Sequence, residues 1–202
     1  MEKIIFATHN KGKLIEMRAI LAGLPVEIID AEAAGIKEEP VEDCDTFEGN
    51  ALKKASFVAE RTGQWSVADD SGICIDVLDG RPGVHSARWA GEGVDLAEYT
   101  LAAMEDVPGD RRTARFVSCA AIVSPSGEHW TFTGQTEGCI SDMLVGEAHP
   151  KLPYDRIFIP EGHSRSFAEM SMEEKNILSH RGRAFKELRE WLEAYLTNKP
   201  KD

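Results

Sequence analysis

The sequence predicts an α/β protein with a mixed β-sheet, on three observations. Strand-length apolar runs alternate with stretches of helical spacing over the first part of the chain. Two long strand-like stretches between residues 113 and 136 are joined by a tight turn, and the chain closes on an amphipathic helix.

Each element follows from its residues. Lys3 to Ala7 is an apolar run of strand length that gives way to the polar segment Thr8-His9-Asn10-Lys11-Gly12-Lys13. A helix follows, with Leu14, Met17, Ile20 and Leu21 on one face and Gly23 with Pro25 as its stop. Val26 to Ile29 reads as a strand, and the charged stretch Glu32 to Asp45 as a loop or irregular helix. Asp45 or Thr46 caps a helix that runs to Thr62, with Gly63 as its terminator and Phe47, Ala51, Ala55 and Val58 as its apolar stripe. Ser66 to Ala68 is extended, a break is expected at Asp69-Asp70-Ser71-Gly72, and Ile73 to Val77 is extended again. Gly80-Arg81-Pro82-Gly83 is loop, and Asp95 to Met104 has helical spacing. Thr113 to Val123 and His129 to Thr136 form a hairpin through Pro125-Ser126-Gly127. Residues 146 to 164 are rich in Gly, Pro and His around Ile157-Phe158-Ile159, and the last helix spans Gly182 to Leu196, its stripe being Phe185, Leu188, Leu192 and Tyr195.

The 202 residues, 42% hydrophobic and 29% charged, are those of an ordinary globular protein, read here as one domain with two lobes that needs no disulfide or structural metal. Lys and Arg total 23 against 35 Asp and Glu, a formal charge of -12, which disfavours nucleic acid and anionic membranes as partners. An anionic substrate would require a local basic cluster, helix N-termini or a bound cation. Cys44, Cys74, Cys119 and Cys139 are widely spaced without a C-x-x-C pair, and read as reduced thiols that fill apolar space. The segment around Ile4 to Ala7 is too short for the apolar part of a signal peptide, so a cytoplasmic location is expected.

Three clusters carry possible chemistry, each with a plainer reading beside it. Thr8 to Lys13 follows a strand and opens a helix, where backbone N–H groups, two lysines and a hydroxyl suit a phosphate; a capped polar turn is the plain reading. The Walker A spacing is absent. Asp69 and Asp70 offer adjacent hard oxygen donors for Mg²⁺, or simply close a turn; Glu38, Glu39, Glu42, Asp43 and Asp45 could add a ligand, or form a solvated face. Ser179-His180-Arg181 could read a base edge or a phosphate, or cap the last helix. No G-x-S-x-G elbow supports a serine hydrolase. In combination these clusters describe a Mg²⁺-dependent enzyme acting on a nucleoside polyphosphate.

The same residues resemble the inosine triphosphate pyrophosphatase family, which hydrolyses noncanonical purine nucleoside triphosphates to monophosphate and pyrophosphate. The resemblance covers nearly the whole chain. It rests on Thr8 to Lys13, Thr46-Phe47-Glu48-Gly49-Asn50-Ala51, Ala68 to Gly72, Arg81-Pro82-Gly83-Val84 with Ser86-Ala87-Arg88, Phe167-Ala168-Glu169-Met170, and Glu174-Lys175-Asn176 with Ser179-His180-Arg181. It implies a long central mixed sheet flanked by helices, two lobes around an active-site cleft, a homodimer, and Mg²⁺ between carboxylates and triphosphate. It further implies that Thr8, His9, Asn10, Lys11, Gly12 and Lys13 bind substrate, with Thr8, Asn10 and Lys13 on the phosphates. Asp70 would be the general base, Glu42 and Asp70 the metal ligands, and Ser71 a substrate contact. Lys175, His180 and Arg181 would contact the nucleotide, the last two at the purine 6-oxo group.

One stretch departs from the family. Where it reads Gly-Phe-Gly-Tyr-Asp-Pro-Ile-Phe, this chain has Lys151-Leu152-Pro153-Tyr154-Asp155-Arg156-Ile157-Phe158. The resemblance places Leu152, Pro153, Tyr154 and Asp155 against the nucleotide, but the base-stacking Phe becomes Leu152 and a flexible Gly becomes Pro153. Tyr154 or Trp89 is the alternative source of a stacking ring. The expected activity is therefore pyrophosphate release from ITP, dITP or XTP. Two alternatives stand beside it: the same chemistry on another nucleotide, and a nucleotide-binding regulator with poor turnover.

Overall fold

A computed structural model describes residues 2–149 and 152–198. Six strands make one sheet, in the order β2-β1-β3-β4-β5-β6. They are β1 (Glu2–Phe6), β2 (Val26–Asp30), β3 (Trp65–Ile75), β4 (Thr113–Val123), β5 (His129–Ile140) and β6 (Phe158–Pro160). β1 is parallel to both β2 and β3, Ile4 standing opposite Ile28 on one side and Trp65 on the other, while β5 and β6 are antiparallel. The sheet is mixed, as its connections require: parallel neighbours are joined through helices and β4 to β5 by a short turn. The helices are α1 (Lys11–Ile20), α2 (Phe47–Thr62), α3 (Leu96–Ala103), α4 (Met172–Leu178) and α5 (His180–Asn198). Among the described residues no helix is long and apolar enough to cross a membrane.

The chain forms two compact units, one of residues 1–70, 118–134 and 181–202, the other of 71–117 and 135–180. In the first, Ile4, Phe6, Leu14, Met17, Val67 and Ile122 pack with Phe185, Leu188 and Leu192 of the last helix. Phe6 and Phe185 meet edge to face at 5.8 Å. α2 lies on this unit through small residues, Ala51, Ala55 and Ala59 against Ala68, Cys119 and Ala121, which bring its polar side chains close to β3. In the second unit Ile73, Ile75, Met104, Phe116, Ile140, Phe158 and Phe167 form the core. There the buried Arg112 guanidinium donates to the carbonyls of Met104, Val107, Ile140 and Ser141, an arrangement that satisfies an otherwise costly buried charge.

Several elements differ from the sequence-based expectation. β3 runs unbroken through Asp69-Asp70-Ser71-Gly72, so the carboxylate pair lies within a strand and not at its end. Tertiary partners for both acids remove the need for a turn there. β5 extends to Ile140, beyond Thr136, and the last helix begins at His180 and among the described residues runs through Asn198. α4 has no buried residue and hence no apolar stripe; its available signal is the Ser171 and Glu174 capping box. Helix α2 has the expected ends, Thr46 Oγ1 accepting from Gly49 N and Gly63 closing it in the left-handed conformation at φ 62°.

Candidate active site

The candidate site begins where β1 runs out. Ala7 N donates to Val67 O and Thr8 N to Phe6 O, and the chain then turns into α1. Asn10 caps that helix, its Oδ1 accepting from Gly12 N at 3.0 Å and Lys13 N at 3.4 Å. Thr8 Oγ1 in turn accepts from Asn10 N. Lys11 and Gly12 are exposed on the rim, and His9 Nδ1 pairs with Glu39 Oε1 at 2.5 Å. The Glu39 hydrogen bond raises the His9 pKa above its ordinary 6.5, although burial opposes it.

Lys13, one turn into the helix, directs its ammonium away from this rim and into the first unit. It donates to Asp69 Oδ1 at 2.9 Å and Oδ2 at 2.8 Å. Arg181 reaches the same carboxylate, Nε to Oδ2 at 3.3 Å, and its Nη1 meets Glu16 Oε2 at 3.0 Å. Burial alone would push the Asp69 carboxyl up, but the Lys13, Arg181 and Lys54 charges hold it well below the usual carboxylate range. Lys13 is shifted down, by burial and by the cations Arg181 and Lys54, against the pull of Asp69. The resemblance implies Arg181 at a purine 6-oxo group; in this structure its guanidinium joins Lys13 on Asp69.

Asp70 points to the other face of β3, as strand alternation requires. Its Oδ2 accepts from Asn50 Nδ2 at 3.1 Å, and its Oδ1 stands 3.5 Å from Lys54 Nζ. Lys54 also meets Glu42 Oε1 at 2.7 Å. Burial raises the Asp70 pKa, with the Glu42 charge adding to it, while Lys54 and the Asn50 bond pull it back. Lys54 is raised: burial lowers it, but Asp70, Asp69 and Glu42 together outweigh burial. Glu42 and Asp70 thus converge on one cation. Two hard oxygen donors of this kind fit Mg²⁺, which commonly takes one or two carboxylates and completes its shell with substrate phosphates and water. Among the described residues no group of three or more His, Cys, Asp or Glu side chains converges as a metal cage.

Sequence reasoning gave no individual role to Lys54 or Asn50. Their signal was the four-residue spacing beside the apolar stripe of α2, which sets both on the side of the helix that meets β3.

In the second unit Pro153–Arg156 forms a 3-10 turn, with Leu152 half-buried before it. Lys151 lies outside the described residues. Tyr154 is buried; its hydroxyl donates to Ser86 O at 2.7 Å and its ring meets Phe116 edge to face. It is therefore a packing residue and not a free stacking surface. Trp89, the other candidate ring, is held edge to face by Tyr99 at 5.8 Å, with the Arg81 guanidinium 5.9 Å from its ring centre. Asp155 pairs with Lys175, whose ammonium also lies 5.4 Å from the centre of the Phe167 ring. His180 is buried and stacks on Phe116 at 4.7 Å with the rings 8° from parallel. Ser71 is half-buried on β3.

Comparison with known proteins identifies the family. The Ham1 family model matches residues 4–191. A dITP/XTP pyrophosphatase of Streptomyces coelicolor is 45% identical over 193 residues, covering 93% of this chain and 96% of that protein. One from Geobacter sulfurreducens is 44% identical, covering 95% and 97%. Among solved structures, a HAM1 protein from Coxiella burnetii superposes with a TM-score of 0.89 at 33% identity, over 96% of this chain and 100% of that one. A nucleoside-triphosphatase, dITP/XTP pyrophosphatase, from Mycobacterium abscessus gives 0.78 at 41% identity, over 92% and 98%. With its strand-helix cradle, its acid pair on β3 and near-complete coverage by these relatives, the chain belongs to the Ham1 family.

Proposed function

We propose that this protein hydrolyses noncanonical purine nucleoside triphosphates, such as ITP, dITP and XTP, to the monophosphate and pyrophosphate. The observation that carries the reading is the convergence of Glu42 and Asp70 on the Lys54 ammonium, in the unit that also holds the Thr8–Lys13 cradle. Relatives named dITP/XTP pyrophosphatase support the choice of substrate.

Glu42 and Asp70 would hold the Mg²⁺, which when bound neutralises phosphate charge and makes the α-phosphorus easier to attack. Asp70 is the general base. Lys54 and Asn50 hold its two oxygens and favour the ionised form that a base needs. It takes a proton from water as the water oxygen bonds to the α-phosphorus. The bond from that phosphorus to the α–β bridging oxygen breaks, and pyrophosphate leaves with the electron pair. Lys54, beside Glu42 and Asp70, supplies positive charge near the phosphates, which a chain of net charge -12 needs locally, while the Lys13 ammonium is held by Asp69.

Leu152 favours one qualification of the substrate. It gives apolar contact without an aromatic face, and both Tyr154 and Trp89 are engaged elsewhere, so the chain should hold purines less tightly and discriminate among bases less sharply. A cytoplasmic homodimer is the assembly that the family resemblance supports, and light scattering in solution tests the dimer. The deciding assay for the activity is product analysis on ITP, XTP, GTP and ATP with Mg²⁺ or with excess chelator. Monophosphate and pyrophosphate, formed only with the metal, are expected. Diphosphate and orthophosphate would place the attack elsewhere, and turnover in chelator would remove the metal.

A further inference from the structure

We propose that Asn50 is a positioning residue that sets which oxygen of Asp70 faces the reaction and ties down the loop that carries Glu42; this rests on the hydrolysis reading above. Asn50 is completely buried in the first turns of α2. Its Oδ1 accepts from Cys44 N at 3.0 Å. Its Nδ2 donates to Asp70 Oδ2 at 3.1 Å and lies 3.4 Å from Cys44 O.

The direction of the amide is fixed by the backbone. Cys44 N–H offers only a donor, so the amide oxygen must face it, and the NH₂ end is left for the carboxylate. A buried amide reversed in this place would leave Cys44 N–H without its acceptor and set the amide oxygen against Asp70 Oδ2, at a cost of about 1–3 kcal/mol for each orphaned group. With Oδ2 of Asp70 engaged by Asn50, Oδ1 is the oxygen turned toward Lys54.

The same contacts hold the acidic loop. Cys44 packs so closely on the helix that a Cβ at Gly49 would stand 2.8 Å from Cys44 Cβ, so Gly49 gives the loop its seat and Asn50 binds it there. Glu42, two residues before Cys44, is thereby delivered to Lys54. One side chain thus places both members of the acid pair.

The test is a double-mutant cycle on ITP hydrolysis with Asn50→Ser and Asp70→Ala. Asn50→Ser is expected to lower kcat by about tenfold or more while KM moves less than about threefold, and to lower kcat severalfold less once Asp70 is already Ala, the loss that remains there being the part that acts through the Glu42 loop. Equal losses on both backgrounds, or no loss in the single variant, would overturn the positioning role. If Asn50→Ser does not fold, Asn50→Ala carries the same comparison, because it removes both the donor to Asp70 and the acceptor for Cys44 without adding a charge. Independently of turnover, the side-chain NH₂ protons of Asn50 should shift upfield in the NMR spectrum of Asp70→Ala relative to wild type; unmoved resonances would also overturn it. Wild-type turnover in Asp70→Ala would overturn both the base assignment and this inference, whereas additive losses overturn this inference alone.

Discussion

Lys13 donates to both carboxylate oxygens of Asp69, at 2.9 and 2.8 Å, and so separates the roles of two acids that are neighbours in sequence. Asp69 serves as the buried counterion of Lys13 and Arg181, whereas Asp70, on the opposite face of β3, meets Asn50 with one carboxylate oxygen and Lys54 with the other.

Asp69→Asn is therefore expected to act first on stability. Removing one member of a buried ion pair leaves the other charges uncompensated and typically costs about 3–5 kcal/mol. The Asp69 carboxyl is held below its unfolded value of 3.8, so its contribution is complete above that pH and fades as the pH falls toward the folded value. Denaturant unfolding of wild type and Asp69→Asn at neutral pH checks this; an unchanged midpoint would mean that the Lys13 and Arg181 pairing contributes nothing.

Asp70→Asn should leave the fold standing and lower kcat by at least about the 10²-fold of a lost general base. Steady-state turnover on ITP, with circular dichroism to confirm folding, is the measurement. Near-normal turnover in this variant alongside an inactive but folded Asp69→Asn would exchange the two roles.

Leu152→Phe should lower KM for ITP more than it changes kcat, because stacking is alike in ground and transition states. A base on an aromatic ring gains about 1–3 kcal/mol, and about 1.4 kcal/mol is tenfold in affinity. Kinetics of wild type and variant on ITP and GTP decide it, and an unchanged or raised KM for ITP would mean that Leu152 does not lie against the base.

His9 should titrate above 6.5, since the Glu39 bond favours its charged form. The stability that the pair adds is present below the ordinary histidine value and disappears as the pH rises through the raised one. An NMR titration of His9 in wild type and Glu39→Gln tests the pair; the variant should return toward 6.5, and identical midpoints would dissolve the contact.

Local rules made much of this protein legible. Apolar alternation and caps marked β1, the turn into α1, the length of α2 from Thr46 to Gly63, and the β4–β5 hairpin, because those features depend on neighbours within a few residues. The motifs carried the family resemblance without any contact being known. What tertiary structure alone decided is the pairing. Lys13 and Asp69 lie 56 positions apart and Arg181 and Asp69 112, so no local pattern could assign Asp69 to the cations. Asp69 and Asp70 lie inside a continuous strand where the Asp-Asp-Ser-Gly composition favours a turn, and these partners are what satisfies the two carboxylates once the strand buries them. Asn50 and Lys54 were equally hidden: an amide and an ammonium on a helix gain their meaning from the strand brought against them.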